Sequence, residues 1–453
     1  MALPTSVDNS TSRYFPPLIN QTGGSCAQAS GIGYMFTYEM NRFLDRDASQ
    51  PENRMSYLFV WNMINEGDNQ GGFVEQGLQL AKNYGIMSEA DYGNPSLYNF
   101  FWPTGYEKYV RAMHNRALDI LTFNDSISFI KRYLYDAGCG QHPGGIVTFS
   151  TLAEGWNIDT DYQGPSETGY HALLTQLGTD GSHALTIVGY DDLVTYTDNQ
   201  GTRHTGAFII CNTWGDYYYH DRGRYYLPYD FFRDEHVTND ELSNTMNAVR
   251  VTTYEPRAVL RVGLTYNQRN ELRFGISSTQ DRAASRPSVA PYNFYIMYHM
   301  GGPYPMQGQY KLRDIDIAFD ASPRVPQDVT SVEQYFLHVT RQAQGNKKKG
   351  EGEVTAVEFI DLQTPAATRR WTYHGTLPAP INPGSNIFPI PLRPRHLFSA
   401  SPHAWNATST ANGDPATFRL RTAHGRQAKF TATPSEDGQH LHIHYAITNK
   451  DEN

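Results

Sequence analysis

The chain has 453 residues, 39% of them hydrophobic and 18% charged, which is typical of a folded protein of two or three domains rather than a disordered one. Its net charge of −9 argues against a general nucleic-acid-binding function. No apolar run approaches the roughly 18 residues of a membrane helix, so we expect a protein that does not span a membrane.

Helical patterns dominate the first part of the chain. Small and apolar residues recur at helical spacing from Ala27 to about Phe43, and the segments 56–65, 73–84 and 126–137 have the same character. The third of these four segments is followed by Gly85, a residue favoured just beyond the end of a helix. The sequence therefore predicts four helices in this part.

From Gly145 onward the pattern changes to short runs rich in β-formers, separated by turns. These runs are 146–149, 184–189, 207–211 and 223–227. Helices first and strands afterwards predict an α+β domain with one helical and one β-rich lobe.

After about Thr253 the helical signal nearly disappears. Most runs alternate between apolar and polar residues, with turn-forming residues between them: 310–320, 334–341, 354–360, 417–422 and 439–447. This pattern predicts an all-β sandwich. We thus expect two domains, residues 1–252 and an accessory β-sandwich at 253–453.

Cys26 is the first candidate functional residue. It follows Gly-Gly-Ser and begins the first predicted helix, where the helix dipole and unpaired backbone N–H groups favour a thiolate. Such a nucleophile needs a base and a group that orients the base. His183, in a strand-like run, and Asn212, followed by Thr-Trp-Gly, suit these roles. The three residues together indicate acyl-transfer chemistry.

The three cysteines of the chain do not make a disulfide framework. A single bridge from Cys139 to Cys26 or to Cys211 stays open on the sequence. Cys211 lies in a run of β-formers and is expected to be a buried core thiol.

Six segments, taken in order, resemble the papain-like cysteine peptidases. They are residues 3–8, 20–26, 69–74, 83–92, 183–190 and 212–227. The resemblance covers about residues 3 to 252 and implies a papain-like two-lobed domain. It also implies peptide-bond hydrolysis by a thiol, without a metal or an organic cofactor.

The resemblance assigns a role to each matching residue. Catalytic roles fall to Gln21 as oxyanion donor, Cys26 as nucleophile, His183 as base and acid, and Asn212 as orienting group. Trp214 would cover the bond between His183 and Asn212. The substrate-binding positions are Gly71, Gly72 and Val74; Val147 or Phe149 would line a pocket with Val74.

The departures from the family pattern indicate a divergent, bacterial-type member. Ala27 stands where a tryptophan usually follows the nucleophile, and Gln21 precedes Cys26 by five positions, one fewer than usual. Asn212 follows His183 by 29 positions, which predicts an inserted hairpin at 194–204. The disulfide-forming cysteines of lysosomal members are missing.

We therefore predict a cysteine endopeptidase that acts on a protein or peptide substrate, with an accessory domain that binds a surface or glycan. We expect a secreted, periplasmic or cell-surface protein whose leader is absent from this chain; a cytoplasmic location stays open. Two alternatives remain: a degenerate peptidase that only binds peptides or glycans, and a related acyl-transfer enzyme.

A weaker signal lies near the C-terminus, where His440, His442 and His444 alternate. A strand would put all three on one face, where neighbouring histidines can bind zinc. An edge strand with a polar face is the simpler interpretation, so no metal is predicted.

Overall fold

The computed structural model divides the chain into two compact units, Met1–Arg393 and Pro394–Asn453. In the first unit the structure describes residues 2–93, 100–124, 126–198, 200–216, 223–232, 236, 241–294, 296, 301–308, 311–342, 350–363 and 369–392. In the second unit it describes the backbone of four strands.

A continuous helical rod begins at the candidate nucleophile. It consists of α1 (Cys26–Gln28), a π-wound stretch (Ala29–Phe36) and α2 (Thr37–Leu44). Every residue of the π-wound stretch is buried. The prediction of a helix from Ala27 to about Phe43 is confirmed.

Among the described residues, five further α-helices follow. They are α3 (Tyr57–Ile64), α4 (Val74–Asn83), α5 (Glu89–Tyr92), α6 (Tyr106–Met113) and α7 (Ile127–Asp136). The Ser56 hydroxyl accepts a hydrogen bond from the Phe59 N–H and thereby caps α3. The three predicted segments correspond to α3, α4 and α7. Among the described residues, no helix has the length and apolar character that a membrane span requires.

The first unit also contains a nine-stranded sheet. Its strands are β1 (Ser6–Asp8), β2 (Asn115–Asn124), β3 (Val147–Glu154), β4 (Asn157–Asp159), β5 (Leu173–Gln176), β6 (Asp180–Thr197), β7 (Arg203–Cys211), β8 (Arg224–Pro228) and β9 (Thr245–Thr253). They run in the order β2-β9-β3-β6-β7-β8-β5-β4, with β1 beside β6. Thr197 pairs with Arg203 at the tip of β6 and β7, which confirms the predicted hairpin.

The helical rod packs directly on this sheet. The Ser30 hydroxyl donates to the carbonyl of Ala184 in β6 at 2.9 Å, and the Tyr34 hydroxyl donates to the carbonyl of Asn212, just after β7, at 3.0 Å. These buried bonds fix the start of the rod relative to the strands that carry His183 and Asn212.

The described strands between residues 258 and 391 form two further sheets. The first contains β10 (Ala258–Tyr266), β13 (Asp314–Asp320), β15 (Gly352–Asp361), β16 (Arg369–Thr372) and β17 (Ala379–Pro380); the second contains β11 (Leu272–Thr279), β12 (Tyr292–Asn293), β14 (Gln334–Arg341) and β18 (Gly384–Pro391). Stacked aromatic rings join the two sheets: Phe274 on Phe319, and Tyr335 on Phe359. The chain is thus mixed α and β, with strands predominating after residue 253.

The two sheets are tied to the helical part of the same unit. The Tyr84 hydroxyl donates to the Ala318 carbonyl at 2.9 Å, and Arg116 forms a buried ion pair with Asp320 at 2.7 Å. The compact unit therefore continues across residue 252 to Arg393. The predicted division into domains at 1–252 and 253–453 stays a prediction.

The second unit holds an antiparallel four-stranded sheet. Its strands are β19 (Asn406–Thr408), β20 (Ala416–Arg421), β21 (Gln427–Pro434) and β22 (Leu441–Thr448), in that order. His442 and His444 lie in β22, whereas His440 lies outside the described residues. The alternating-histidine hypothesis stays untested.

Candidate active site

Cys26 is the first residue of the helical rod. The Ser25 carbonyl accepts hydrogen bonds from the N–H groups of Gln28 and Ala29, at 3.0 and 2.9 Å, so the helix begins immediately at the thiol. Gly23, with φ of +53°, makes the turn that leads into this helix. Cys26 is partly exposed, whereas Ala27 is buried. The thiol is accessible, and it lies at the positive end of the helix.

His183 and Asn212 are joined by a hydrogen bond of 2.8 Å between Nε2 and Oδ1. The same Oδ1 accepts the N–H of Thr213 at 2.7 Å, which fixes this atom as the oxygen of the amide. The His183 Nε2 must therefore carry a proton. In the neutral ring, Nδ1 is left as the basic nitrogen.

Two tryptophans enclose the imidazole. The Trp214 ring stacks on His183 with ring centroids 4.4 Å apart. The Trp156 ring meets the His183 ring edge-on, with ring centroids 6.0 Å apart. His183 is only 5% exposed. This burial lowers the pKa of His183 to about 4, while the hydrogen bond to Asn212 acts in the opposite direction. Trp156 carries no motif that would have singled it out in the sequence.

A cavity of about 460 Å³ contains the thiol and the neighbours of the histidine. Its lining residues come from the helical rod, from the segment before α4 and the start of α4, and from β3, β6 and β9 or the residues just before β9: Cys26, Ala27, Gly71, Gly72, Phe73, Val74, Glu75, Phe149, Ser150, Ser182, Ala184, Ser243, Thr245 and Asn247. The cavity thus brings together Cys26, the residues on both sides of His183 and the predicted substrate-binding residues.

The predicted partners of Val74 differ in their positions. Phe149 lines the cavity, whereas Val147 is fully buried in the core. The cavity also has a row of hydroxyl and amide groups that the sequence did not reveal: Ser150, Ser182, Ser243, Thr245 and Asn247. These residues lie far apart along the chain, and only the pairing of β6 and β9 with β3 brings them together.

Gln21 lies between the nucleophile turn and the segment after Asn212. Its backbone N–H donates to the Thr213 carbonyl at 2.7 Å, and its side-chain oxygen accepts from the Thr213 hydroxyl. Its Nε2 donates to the Gly23 carbonyl at 2.8 Å. An amide nitrogen has two protons, so the second remains for another acceptor. The predicted oxyanion role of Gln21 stays a prediction.

The glycine pair is held beside Cys26 by contacts on both sides. Gly24 donates its N–H to the Asn69 side chain at 3.2 Å, and a Cβ on Gly24 would lie 2.9 Å from the Gly71 nitrogen. The buried Gln28 side chain donates to the Phe73 carbonyl at 2.9 Å. Close approach of the two backbones requires a glycine here.

The competing histidines and thiols lie elsewhere. His142 and His171 hydrogen-bond to the carbonyls of Tyr135 and Tyr162. Neither they nor the residues next to them in the chain line the cavity of Cys26, whereas His183, which does not line it itself, has both chain neighbours in its lining. All three cysteines are free, which removes the alternative of a disulfide bridge. Cys211 is fully buried as predicted, and burial raises the pKa of its thiol. Among the described residues, no three His, Cys, Asp or Glu side chains are grouped to hold a metal ion.

Comparison with solved structures finds partial similarity. Xylellain, a cysteine protease from Xylella fastidiosa, matches at 18% identity and a TM-score of 0.39 over 56% of this chain and 87% of that one. The bromelain protease from Ananas comosus, in complex with E64, matches at 16% identity and a TM-score of 0.36, over 55% of this chain and 99% of that one. A cysteine protease from Carica candamarcensis, in complex with E-64, matches at 17% identity and a TM-score of 0.36, over 55% of this chain and 98% of that one.

No protein-family model matches the chain, and no curated protein matches it.

Proposed function

We propose that the chain is a cysteine endopeptidase with Cys26 as nucleophile, His183 as proton carrier and Asn212 as orienting group. One observation carries the proposal: Cys26 and both neighbours of His183 line a single open cavity, while Asn212 holds the far nitrogen of the ring. A nucleophile, a base and a group that fixes the base are the three requirements of thiol acyl transfer.

The first step moves the proton of the Cys26 thiol to Nδ1 of His183 as the sulfur attacks the peptide carbonyl. Burial keeps the imidazole neutral, so Nδ1 is free of a proton, while the hydrogen bond to Asn212 stabilises the ring once it is protonated. The resemblance to the papain-like peptidases implies attack by a Cys26 thiolate paired with the His183 imidazolium. Burial opposes the protonated ring and the hydrogen bond to Asn212 favours it.

The imidazolium formed in this way then protonates the leaving amine, and water releases the acyl group from the sulfur. Nε2–H donates a hydrogen bond to Asn212 Oδ1 throughout, which keeps the ring in one orientation. The stacked Trp214 ring excludes water from this bond and thereby strengthens it.

The negative oxygen of the tetrahedral intermediate needs donors near the sulfur. We assign this role to the Cys26 backbone N–H and to the second Nε2 proton of Gln21. Removal of one such donor typically costs about 2.7–4 kcal/mol of transition-state stabilisation. An extended substrate would pair with the backbone at Gly71 and Gly72, where the absence of side chains allows close approach.

The test compares Cys26→Ala with Cys139→Ala, a matched substitution at an exposed thiol outside the cavity. Both variants are incubated with a library of peptides blocked at each end, which only an endopeptidase can cleave. We expect cleavage to fall on the order of a thousandfold or more for Cys26→Ala and to stay unchanged for Cys139→Ala.

A thiol-reactive epoxide inhibitor should modify Cys26 and not Cys139 in the unmodified chain, as read by peptide mass mapping. Cleavage that survives Cys26→Ala, or labelling confined to Cys139, would refute the proposal. Adding a small amine to the assay separates hydrolysis from acyl transfer, because a transferase forms the amide product.

A further inference from the structure

Three adjacent segments connect the β-rich part of the first unit to the candidate substrate cleft. The supporting loop, residues 301–306, lies between β12 and β13 in the chain. It contacts the connecting turn, residues 65–68, where the Tyr304 hydroxyl donates to the Gly67 carbonyl at 3.1 Å. The connecting turn leads without a break into the glycine segment, residues 69–73, which contains both glycines of the cleft.

The contact between loop and turn is close. A Cβ on Gly302 would lie 2.6 Å from the carbonyl carbon of Glu66, so any side chain there would collide with the turn. The Tyr304 ring stacks on Phe100 with centroids 4.4 Å apart and planes inclined by 14°. Stacking fixes the ring, and the ring in turn directs its hydroxyl at the connecting turn.

The supporting loop is itself held by Arg269, which is fully buried. Its guanidinium donates to the carbonyls of Gly301 and Met306, the latter at 3.1 Å, and to the Phe100 carbonyl at 2.7 Å. The guanidinium also lies 4.1 Å from the centre of the Trp102 ring. Three carbonyls from two parts of the chain therefore converge on one rigid, planar donor.

The end of the connecting turn is linked to the glycine segment, and the glycine segment to Gly24 near the nucleophile, by a series of hydrogen bonds. Asp68 accepts the Asn69 N–H at 2.7 Å and the Gln70 side-chain amide at 3.1 Å. Trp61 donates to the Gln70 carbonyl at 3.2 Å, and Asn69 accepts from Gly24 beside the nucleophile. A displacement of the connecting turn would thus displace the glycine segment.

We propose that Tyr304 is a positioning residue for substrate binding, through which the β-rich region sets the place of the glycine segment. The inference rests on the proposed function, since it takes Gly71 and Gly72 to bind an extended peptide. It assigns the region after residue 253 an indirect part in substrate binding, through the connecting turn. Tyr304 itself does not line the cavity of Cys26.

The test uses the full chain with Tyr304→Phe, which removes the hydroxyl and keeps the stacked ring. The matched control is Tyr335→Phe, because the Tyr335 hydroxyl also donates to a backbone carbonyl, that of Val329 at 2.8 Å, within the β-rich region. For a blocked peptide substrate we expect KM to rise about fivefold in Tyr304→Phe alone, with kcat within about twofold. The rate at which iodoacetamide modifies Cys26 should not change, because this small reagent needs no glycine segment.

Equal KM values in the two variants, or equal losses of kcat in both, would overturn the inference. Hydrogen exchange gives a second measurement that needs no catalysis: amides of residues 69–73 should exchange faster in Tyr304→Phe than in Tyr335→Phe, and equal exchange would also overturn it. If the unmodified chain cleaves no peptide, the proposed function fails, and the exchange result alone then decides whether Tyr304 positions the segment.

Discussion

His183 is subject to two opposing effects. Burial under Trp214 and Trp156 makes the protonated ring costly, whereas the Asn212 amide oxygen stabilises it. The pKa of about 4 shows that burial is the larger effect. At neutral pH the free ring is therefore neutral, and in the proposed reaction it would pass any proton that it accepts to the leaving amine.

This balance predicts a dependence of stability on pH. The unfolded ring titrates near pH 6.5 and the folded ring near 4, so between these values the unfolded chain binds more protons. The free energy of unfolding should therefore fall as pH drops from 6.5 to 4, by about 3 kcal/mol from this residue. Denaturant titration at several pH values would measure the fall.

The matched variant His183→Gln keeps a polar side chain and cannot gain this proton. Its stability should vary less between pH 6.5 and 4 than that of the unmodified chain, with the difference confined to this interval. Parallel pH profiles for the two chains would contradict the assignment of the low pKa to His183.

At the scale of residues, the sequence indicated the candidate catalytic residues and not their surroundings. Cys26, His183 and Asn212 stand in distinctive local contexts, so they could be proposed as candidates without a structure. Trp156 and Ser243 had no such context, because their place beside the site depends on strand pairing across the sheet. The residues next to Trp156 and Ser243 in the chain do not indicate those long-range contacts.

At the scale of elements, the helical rod and α4 meet where Gly31 faces Val74. A Cβ on Gly31 would lie 2.8 Å from Cγ1 of Val74, closer than two carbon atoms normally pack. A glycine lowers the helix propensity of this stretch, all of whose residues are buried. Its absent side chain lets Val74 reach the edge of the cleft.

Gly31→Ala should therefore destabilise the chain, despite the better helix propensity of alanine. Overpacking costs about 1–3 kcal/mol and the gain in propensity is about 1 kcal/mol. The double variant Gly31→Ala, Val74→Ala should be more stable than the sum of the two single changes predicts, because the second change makes room for the first. Thermal unfolding of the four chains measures this coupling; strict additivity would show that the two residues do not compete for space.

Element types were easier to predict than element partners. The 3.6-residue spacing of apolar side chains predicted α3, α4 and α7, and β-formers predicted the strands around His183. No spacing indicated that β10 pairs with β13 and β15, or that β9 lies beside both β2 and β3. Pairing depends on topology, which a single sequence does not specify locally.

For the whole molecule, the ion pair between Arg116 and Asp320 is the most informative contact. Both side chains are almost fully buried, at 7% and 5% exposure, and they come from opposite sides of residue 252. Arg116 also donates to the carbonyls of Met113 and Lys82. The guanidinium is thus ordered within the helical part and presents its charge to the β-rich part.

Asp320→Ala should leave this buried cation without its carboxylate, at a cost of about 3–5 kcal/mol in the free energy of unfolding. Asp91→Ala, which removes the partner of the more exposed Arg111, should cost about 1 kcal/mol or less. Denaturant unfolding of both variants gives the comparison. Equal losses would mean that the contact across residue 252 contributes no more than a surface pair.

The same contact shows which information a boundary placed from sequence patterns does not include. The change from helical to alternating patterns near Thr253 marks a change of local structure. Compactness depends instead on buried contacts between distant residues, such as Tyr84 with Ala318. The proposed role of the later strands in binding a surface or glycan stays a prediction.

The indole rings around the imidazole have an optical consequence. Two of the six tryptophans of the chain flank the same ring, one stacked and one edge-on. Indole emission is sensitive to a neighbouring charge and to the displacement of water. Intrinsic fluorescence therefore offers a dye-free signal for protonation of His183 and for occupancy of the cavity of Cys26.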